Sequence, residues 1–330
     1  MGGIPKRKPY AVLLAGIFLL SVSFMIQPLE GKSSVDTIVV DDGGSADYET
    51  IGAALDAAQN GDHIIVRSGL YQEQNLIIDK TLTLAGEEAA TTIVQGDGSQ
   101  TLCIIRADEV MISNFTFTGG GGESIGSNID ISANNCIISH NIITNNDDVG
   151  ISIHHSSDVI IKNNVITFCP FAGIRNYENT DSNIMKNNQI DECIGGIYVH
   201  DSMNQLIQHN MVSNCSKGIY LEECRDNSVK YNLLINNAQG MFVSYSSDNR
   251  ITKNNFISNE EHAKFTTWLS PTGLQLSKWD ANYWDDSIRF LPRWIPGMLF
   301  IRTDNPIGIF LPWGCVDWHP ANEAYEINQG

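Results

Sequence analysis

The sequence predicts an all-β solenoid, a parallel β-helix, and three observations carry that expectation. First, one unit recurs six times: an apolar residue, two others, Asn, one more, then a second apolar residue. It reads Ile138/Asn141/Ile143, Ile161/Asn164/Ile166, Met185/Asn188/Ile190, Ile207/Asn210/Val212, Val229/Asn232/Leu234 and Ile251/Asn254/Phe256, with Asn steps of 23, 24, 22, 22 and 22 residues. A fixed period in the twenties is the signature of stacked coils. Second, a Gly follows each of the first five Asn positions (Gly150, Gly173, Gly196, Gly218, Gly240) and opens a strand-like tetrad. Third, the apolar periodicity is two and β-branched residues dominate, so short strands and tight turns are favoured over the Leu skeleton of leucine-rich repeats.

Each element then has a physical assignment. Coils of short strands stack at about 4.8 Å and bury alternate residues. Asn suits the repeated bend because it tolerates the left-handed region and bonds local backbone, and stacking aligns the amides into a ladder. In each tetrad the first and third residues point inward and the second and fourth outward. Cys169, Cys193 and Cys215 lie five residues after their repeat Asn, so they share one column. Stacked thiols packing as small hydrophobes are the preferred reading, with a disulfide as the alternative. No Cys or His spacing supports a zinc site.

The chain has 330 residues, 38 Asp+Glu against 20 Lys+Arg, and a net charge of −18. With no local basic patch, a nucleic-acid partner is excluded. Residues 1–31 read as a targeting segment. Lys6-Arg7-Lys8 precede an apolar run from Tyr10 to Ile26, so it is either a cleaved signal peptide or an N-terminal membrane anchor through residues 10–26. The remainder is expected outside the cytoplasm, secreted or at the cell surface, as a monomer.

The solenoid is expected over residues 32–259. Ile38–Val40 forms a strand, and Tyr48–Gln59 has the spacing of an amphipathic helix that covers the open first coil. The stretches Asp47-Tyr-Glu-Thr-Ile-Gly-Ala-Ala-Leu, Asn60-Gly-Asp-His-Ile-Ile-Val-Arg-Ser-Gly-Leu-Tyr-Gln-Glu and Ile78-Asp-Lys-Thr-Leu-Thr-Leu-Ala-Gly-Glu resemble the N-terminal signature of right-handed parallel β-helix proteins of the pectin lyase-like superfamily. The later repeats resemble its NosD-type branch, named for a periplasmic protein linked to copper-enzyme maturation. The resemblance spans roughly residues 37–258 and implies a right-handed β-helix. It is poor for function, because the fold hosts lyases, hydrolases, epimerases and non-enzymatic surface proteins.

Gly119–Gly122 reads as an insertion between coils rather than a phosphate loop. Asn114-Phe-Thr and Asn214-Cys-Ser are formal glycosylation sequons, the first preferred as a repeat Asn. Residues 260–330 hold all six Trp and six Pro, so they are expected to leave the solenoid and cover its last coil. Asn282-Tyr-Trp-Asp-Asp resembles the motif closing NosD-type β-helices, and Asp317-Trp-His-Pro is similar to tails in that group.

Alternation places a candidate site on one face. The second-position column is Asp130, Ser152, Arg175, Tyr198, Tyr220, Phe242, and the fourth is Ser132, His154, Tyr177, His200, Glu222, Ser244. His155, Glu178, Asp201, Glu223 and Tyr245 lie just beyond. This is a solvated face, a strip binding polysaccharide or envelope glycan, or a catalytic face. In the binding reading Tyr198 and Tyr220 stack on sugars while Glu222, Asp201, Glu178 and Glu223 bond hydroxyls. In the catalytic reading, a lyase or epimerase uses His154 or His200 as base, Tyr177 as acid and Arg175 to neutralise a uronate carboxylate. A hydrolase pairs Asp201 with Glu178 or Glu223. No motif diagnostic of such enzymes is present. No cofactor is required; the acidity leaves room for Ca²⁺, though the Asp cluster of pectate lyases is not evident. His154, His155 and His200 are the only clustered histidines, a slender basis for copper handling. A non-enzymatic glycan-binding protein is the preferred reading, a polysaccharide lyase, epimerase or hydrolase the alternative, and metal handling the third.

Overall fold

Three parallel sheets run the length of the molecule because each coil contributes one short strand to each. The computed structural model describes residues 35–122, 126–270, 273–274, 276–288, 291–301 and 309–327. The leader expected at residues 1–31 lies outside the described residues. Among the described residues no helix is long and apolar enough to cross a membrane.

Sheet I has 11 strands from Thr37–Val40 to Lys278–Asp280, sheet II has 10 from Gly69–Tyr71 to Tyr283–Trp284, and sheet III has 12 from Leu76–Ile78 to Ile309–Asp317. That is a parallel β-solenoid of about ten turns. The expected register holds: Ile138 pairs Ile161, Ile161 pairs Met185, and Met185 pairs Ile207. One α-helix, Ile51–Ala57, is shorter than the expected 48–59. It starts where Thr50 caps Ala53 and the Glu73 carboxylate accepts the Ile51 and Gly52 amides, and it buries Ile51, Ala54 and Leu55.

The Asn ladder is present and wholly buried. Each repeat Asn, through its backbone N–H and Nδ2, donates to the Oδ1 of the next coil's Asn at 2.9–3.2 Å, from Asn141 through Asn164, Asn188, Asn210, Asn232 and Asn254 to Asn282. The left-handed residue, however, is the one before each Asn: His140, Asn163, Asn187, His209, Tyr231, Lys253 and Ala281 have φ of 55–59°. The Asn is held inward by its amide, so the preceding residue absorbs the bend. Asn114 is therefore a corner residue (φ 63°), and Phe115 takes the ladder position, donating its N–H to Asn141 Oδ1.

The same device recurs at the other corners. Asn146, Cys169, Cys193, Cys215, Asn237 and Asn259 form a second inward column, and Asn183, Gln205, Asn227 and Asn249 a third. All seven cysteines are free and buried. The column of glycines has a steric cause: a Cβ on Gly150, Gly173, Gly196, Gly218 or Gly240 would sit 2.5–2.9 Å from the backbone oxygen one coil on.

The solenoid does not end at residue 259. Strands Glu261–Ser270, Lys278–Asp280 and Tyr283–Trp284 extend all three sheets by one coil of 28 residues between Asn254 and Asn282. Longer turns hide the period in the sequence, and Trp replaces Ile: Trp279 and Trp284 fill this coil, Trp284 stacking on Phe256 at 4.2 Å. An antiparallel hairpin, Arg293–Ile301 with Ile309–Asp317, follows. Trp268, Trp294, Trp313 and Trp318 are each 40% or more exposed, so the aromatics expected to cover the last coil are only partly inside. The two tail motifs meet. Buried Asp317 accepts hydrogen bonds from the Ala281 and Asn282 amides, Asn282 Nδ2 and Trp284 Nε1, terminating the ladder.

Candidate ligand-binding face

The outward side of sheet III is built by strands Ser127–Ile131, Val149–His154, Ala172–Tyr177, Gly195–His200, Lys217–Glu222 and Gln239–Ser244. Their register stacks Asp130, Ser152, Arg175, Tyr198, Tyr220 and Phe242 in one column and sets His154 beside Tyr177 and His200 beside Glu222. Inward residues Ile151, Ile174, Ile197 and Ile219 anchor each strand in the core. Ser152 and Ser244 depart from expectation: both are buried rather than outward-exposed.

The aromatic column packs on itself. Tyr220 lies between Tyr198 and Phe242, with centroids 4.9 and 5.1 Å away and planes within 16°. Its faces are thus covered, and the expected sugar platform presents ring edges instead. Glu222 is committed to these rings, accepting a hydrogen bond from Tyr220 at 2.8 Å and another from Tyr198. Burial and the Glu222 carboxylate push both phenols above their usual range.

At the N-terminal end of these strands a cavity of about 240 Å³ is lined by Phe171, Ile194, Gly195, Tyr198, Ser216, Lys217 and Tyr220. Two cations flank its rings. The Lys217 amine lies 4.1 Å from the Tyr220 centroid, and the Arg175 guanidinium lies 3.6 Å from Tyr177 and 5.5 Å from Phe171. Among the described residues neither makes a salt bridge, and the buried Arg175 Nε has no hydrogen-bond partner. Burial lowers the Lys217 pKa. Sequence reasoning missed Lys217 and Phe171, because neither belongs to the repeated tetrad; a cation just before the conserved-spacing Gly was the available signal.

At the other end, Glu178, Asp201, Glu223 and Tyr245 are left-handed corner residues. Asp201, Glu223 and Tyr245 line a polar groove of about 640 Å³ with Asp181, Asp226 and Trp268. Glu178 instead faces His155 Nε2 at 3.8 Å.

Tyr177 stands on the rung between the two candidate bases: its ring is 5.4 Å from His154, and His200 is on the next rung, roughly 5 Å on by strand spacing. His154 Nε2 is 3.2 Å from Asp130 Oδ2, which raises the imidazole pKa, and His154 Nδ1 is 3.2 Å from His155 Nδ1. A second cluster joins His262 Nε2 to Asp285 (2.9 Å) and Asp286 (3.2 Å) on the last coil, with Arg293 on Asp286 at 2.9 Å.

The NosD family, described as "Periplasmic copper-binding protein (NosD)", matches residues 56–287. The chain belongs to the NosD family. Its description agrees with the extracytoplasmic location expected from the leader. Curated proteins give no match. Among solved structures, this NosD-family chain is similar to the Azotobacter vinelandii mannuronan C-5 epimerase AlgE6 A-module, at 15% identity and TM-score 0.55, covering 69% of this chain and 78% of the other. It is also similar to XylC in complex with xylose (14%, TM-score 0.61, 74% and 69% covered) and to pectate lyase Pel9A (13%, TM-score 0.52, 72% and 76% covered). At these identities the likeness shows the shared β-helix, and nothing about chemistry.

Proposed function

We propose that this extracytoplasmic NosD-family solenoid binds acidic envelope polysaccharide on sheet III without transforming it. The carrying observation is the Phe171/Tyr198/Tyr220 cavity flanked by Arg175 and Lys217, two cations that form no salt bridge among the described residues, on a chain of charge −18. Aromatic edges and apolar walls suit a sugar ring, and the cations suit its carboxylate. Three proteins similar in fold are a mannuronan epimerase, a pectate lyase and XylC in complex with xylose, which agrees with a carbohydrate ligand. Binding rather than catalysis is favoured because Tyr177 is covered by Arg175 and Glu222 is held by two phenols.

The test is an array of neutral and acidic polysaccharides probed with the unit from Ser34 to Gly330, followed by incubation of any bound polymer. Acidic polymers should bind, and Arg175→Ala with Lys217→Ala should remove the binding. Unsaturated uronates or new reducing ends would replace this reading with an enzyme. Binding of neutral glycans alone would remove the role of the two cations. A second reading, cation binding, is favoured by the His154/His155 contact.

A further inference from the structure

The fit between this chain and a metal rests on where its imidazoles stand. The His154 and His155 rings lie at 79° to each other, with their Nδ1 atoms 3.2 Å apart. That separation matches two adjacent ligands of one ion bonded at about 2.0–2.1 Å. The outer nitrogens face carboxylates: His154 Nε2 is 3.2 Å from Asp130, and His155 Nε2 is 3.8 Å from Glu178. A carboxylate behind a ligating imidazole fixes the tautomer that protonates the far nitrogen. With both protons on Nε2, the two Nδ1 atoms, 3.2 Å apart, are both free to ligate one cation.

The backbone is shaped for this. His155 is a left-handed corner residue (φ 49°), which turns its ring back toward the strand-end His154 instead of to the opposite face, as continued extension would. His154 is half-buried and its ring leans on Tyr177, which limits its motion. The His155 side chain is 58% exposed, so further coordination positions open to solvent.

We propose that His154 and His155 are the paired nitrogen ligands of a first-row divalent cation, Cu²⁺ above Zn²⁺, with Asp130 and Glu178 as the positioning carboxylates. Imidazole donors suit both ions, and affinity rises to Cu²⁺ in the first-row order. The family description names copper without naming residues, and this assignment stands on the two ring nitrogens. The His262/Asp285/Asp286 cluster is the competing location. Its groups are already paired: Arg293 holds Asp286, and the Ser258 amide donates to Asp285 at 2.7 Å. It therefore reads as an ion-pair clasp on the last coil.

The experiment titrates the full chain, purified without a metal-affinity tag, with Cu²⁺ and separately with Zn²⁺, by calorimetry and by electron paramagnetic resonance for Cu²⁺. The expected result is one Cu²⁺ per chain with nitrogen couplings from two imidazoles, and weaker Zn²⁺ binding at the same stoichiometry. His155→Asn, which tolerates the left-handed corner, should weaken Cu²⁺ by at least about tenfold and remove one nitrogen coupling. Asp130→Asn should weaken it about tenfold with both couplings kept, the behaviour of a positioning residue. Unchanged circular dichroism and melting show that each variant is folded. The proposal is overturned if Cu²⁺ binds His155→Asn as tightly as the parent, if the couplings vanish only in His262→Gln, or if no ion binds below about 100 μM, which is weaker than about −5.5 kcal/mol. Glycan binding is read separately, so either reading can fail alone.

Discussion

The inner corners of this solenoid and the outer face of its third sheet are made by the same coils, yet they follow opposite rules. Inside, one position is filled by Asn at rung after rung, and each amide completes the hydrogen bonds of the next. Outside, successive rungs of one column read Asp130, Ser152, Arg175, Tyr198, Tyr220, Phe242. Repetition inside is enforced because a buried amide without its neighbour leaves unsatisfied donors. Outside, water satisfies whatever residue is present, so the face is free to be particular. Periodicity therefore marks what holds the fold, and its failure marks the face on which the proposed ligand would bind.

The sharpest way to break that contrast is to remove one inner rung. Asn210→Ala leaves the Asn188 amide and Nδ2 without their acceptor and should cost about 2–6 kcal/mol, at 1–3 kcal/mol for each of the two stranded donors. Urea denaturation measures it, and a loss under about 1 kcal/mol would show that the ladder is ornamental. Asp317→Asn tests the ladder's end. It keeps the shape but loses charge-assisted acceptance from Asn282 and Trp284, and about 2 kcal/mol is expected, with Trp fluorescence reporting loosening of the last coil.

The second column offers the converse test. Cys215→Asn extends the Asn237–Asn259 ladder by one rung and should change stability by no more than about 1 kcal/mol, whereas an apolar pocket specific for thiols would reject the amide. The neighbouring Cys193 thiol and burial raise the Cys169 pKa, so Cys169 should also resist thiol reagents in the folded protein.

The outer face should respond least in stability and most in binding. Lys217→Ala and Arg175→Ala are expected to shift stability by under about 0.5–1 kcal/mol each while weakening acidic glycan by tenfold or more. For Tyr198 and Tyr220 the folded pKa lies above the unfolded one, so their contribution is complete below about pH 10 and is lost as pH rises further. Ultraviolet titration should find Tyr198 and Tyr220 among the late-ionising phenols, with Tyr71 and Tyr325, and Tyr198→Phe should remove one of them.

Particular residues show how much was legible. The strand columns of sheet III were readable to the residue, because alternation and a fixed Gly leave one register. The Asn ladder was readable too, but not its left-handed residue: Tyr231 and Lys253 accept φ near 55° only because the next Asn is anchored inside. The coil ending at Trp284 was hidden because its period stretches to 28 residues and Trp stands where Ile is expected.

The sequence by itself determined the solenoid, its period and its inward and outward residues, since each follows from local geometry repeated at a constant step. Tertiary structure decided everything that depends on side-chain orientation across rungs. It stacked Tyr198, Tyr220 and Phe242 on one another, placed Arg175 over Tyr177, turned His155 toward His154, and brought Asp317 to Asn282. Register fixes which residues are neighbours, whereas packing fixes which of their surfaces remain free, and only the free surfaces bind ligands.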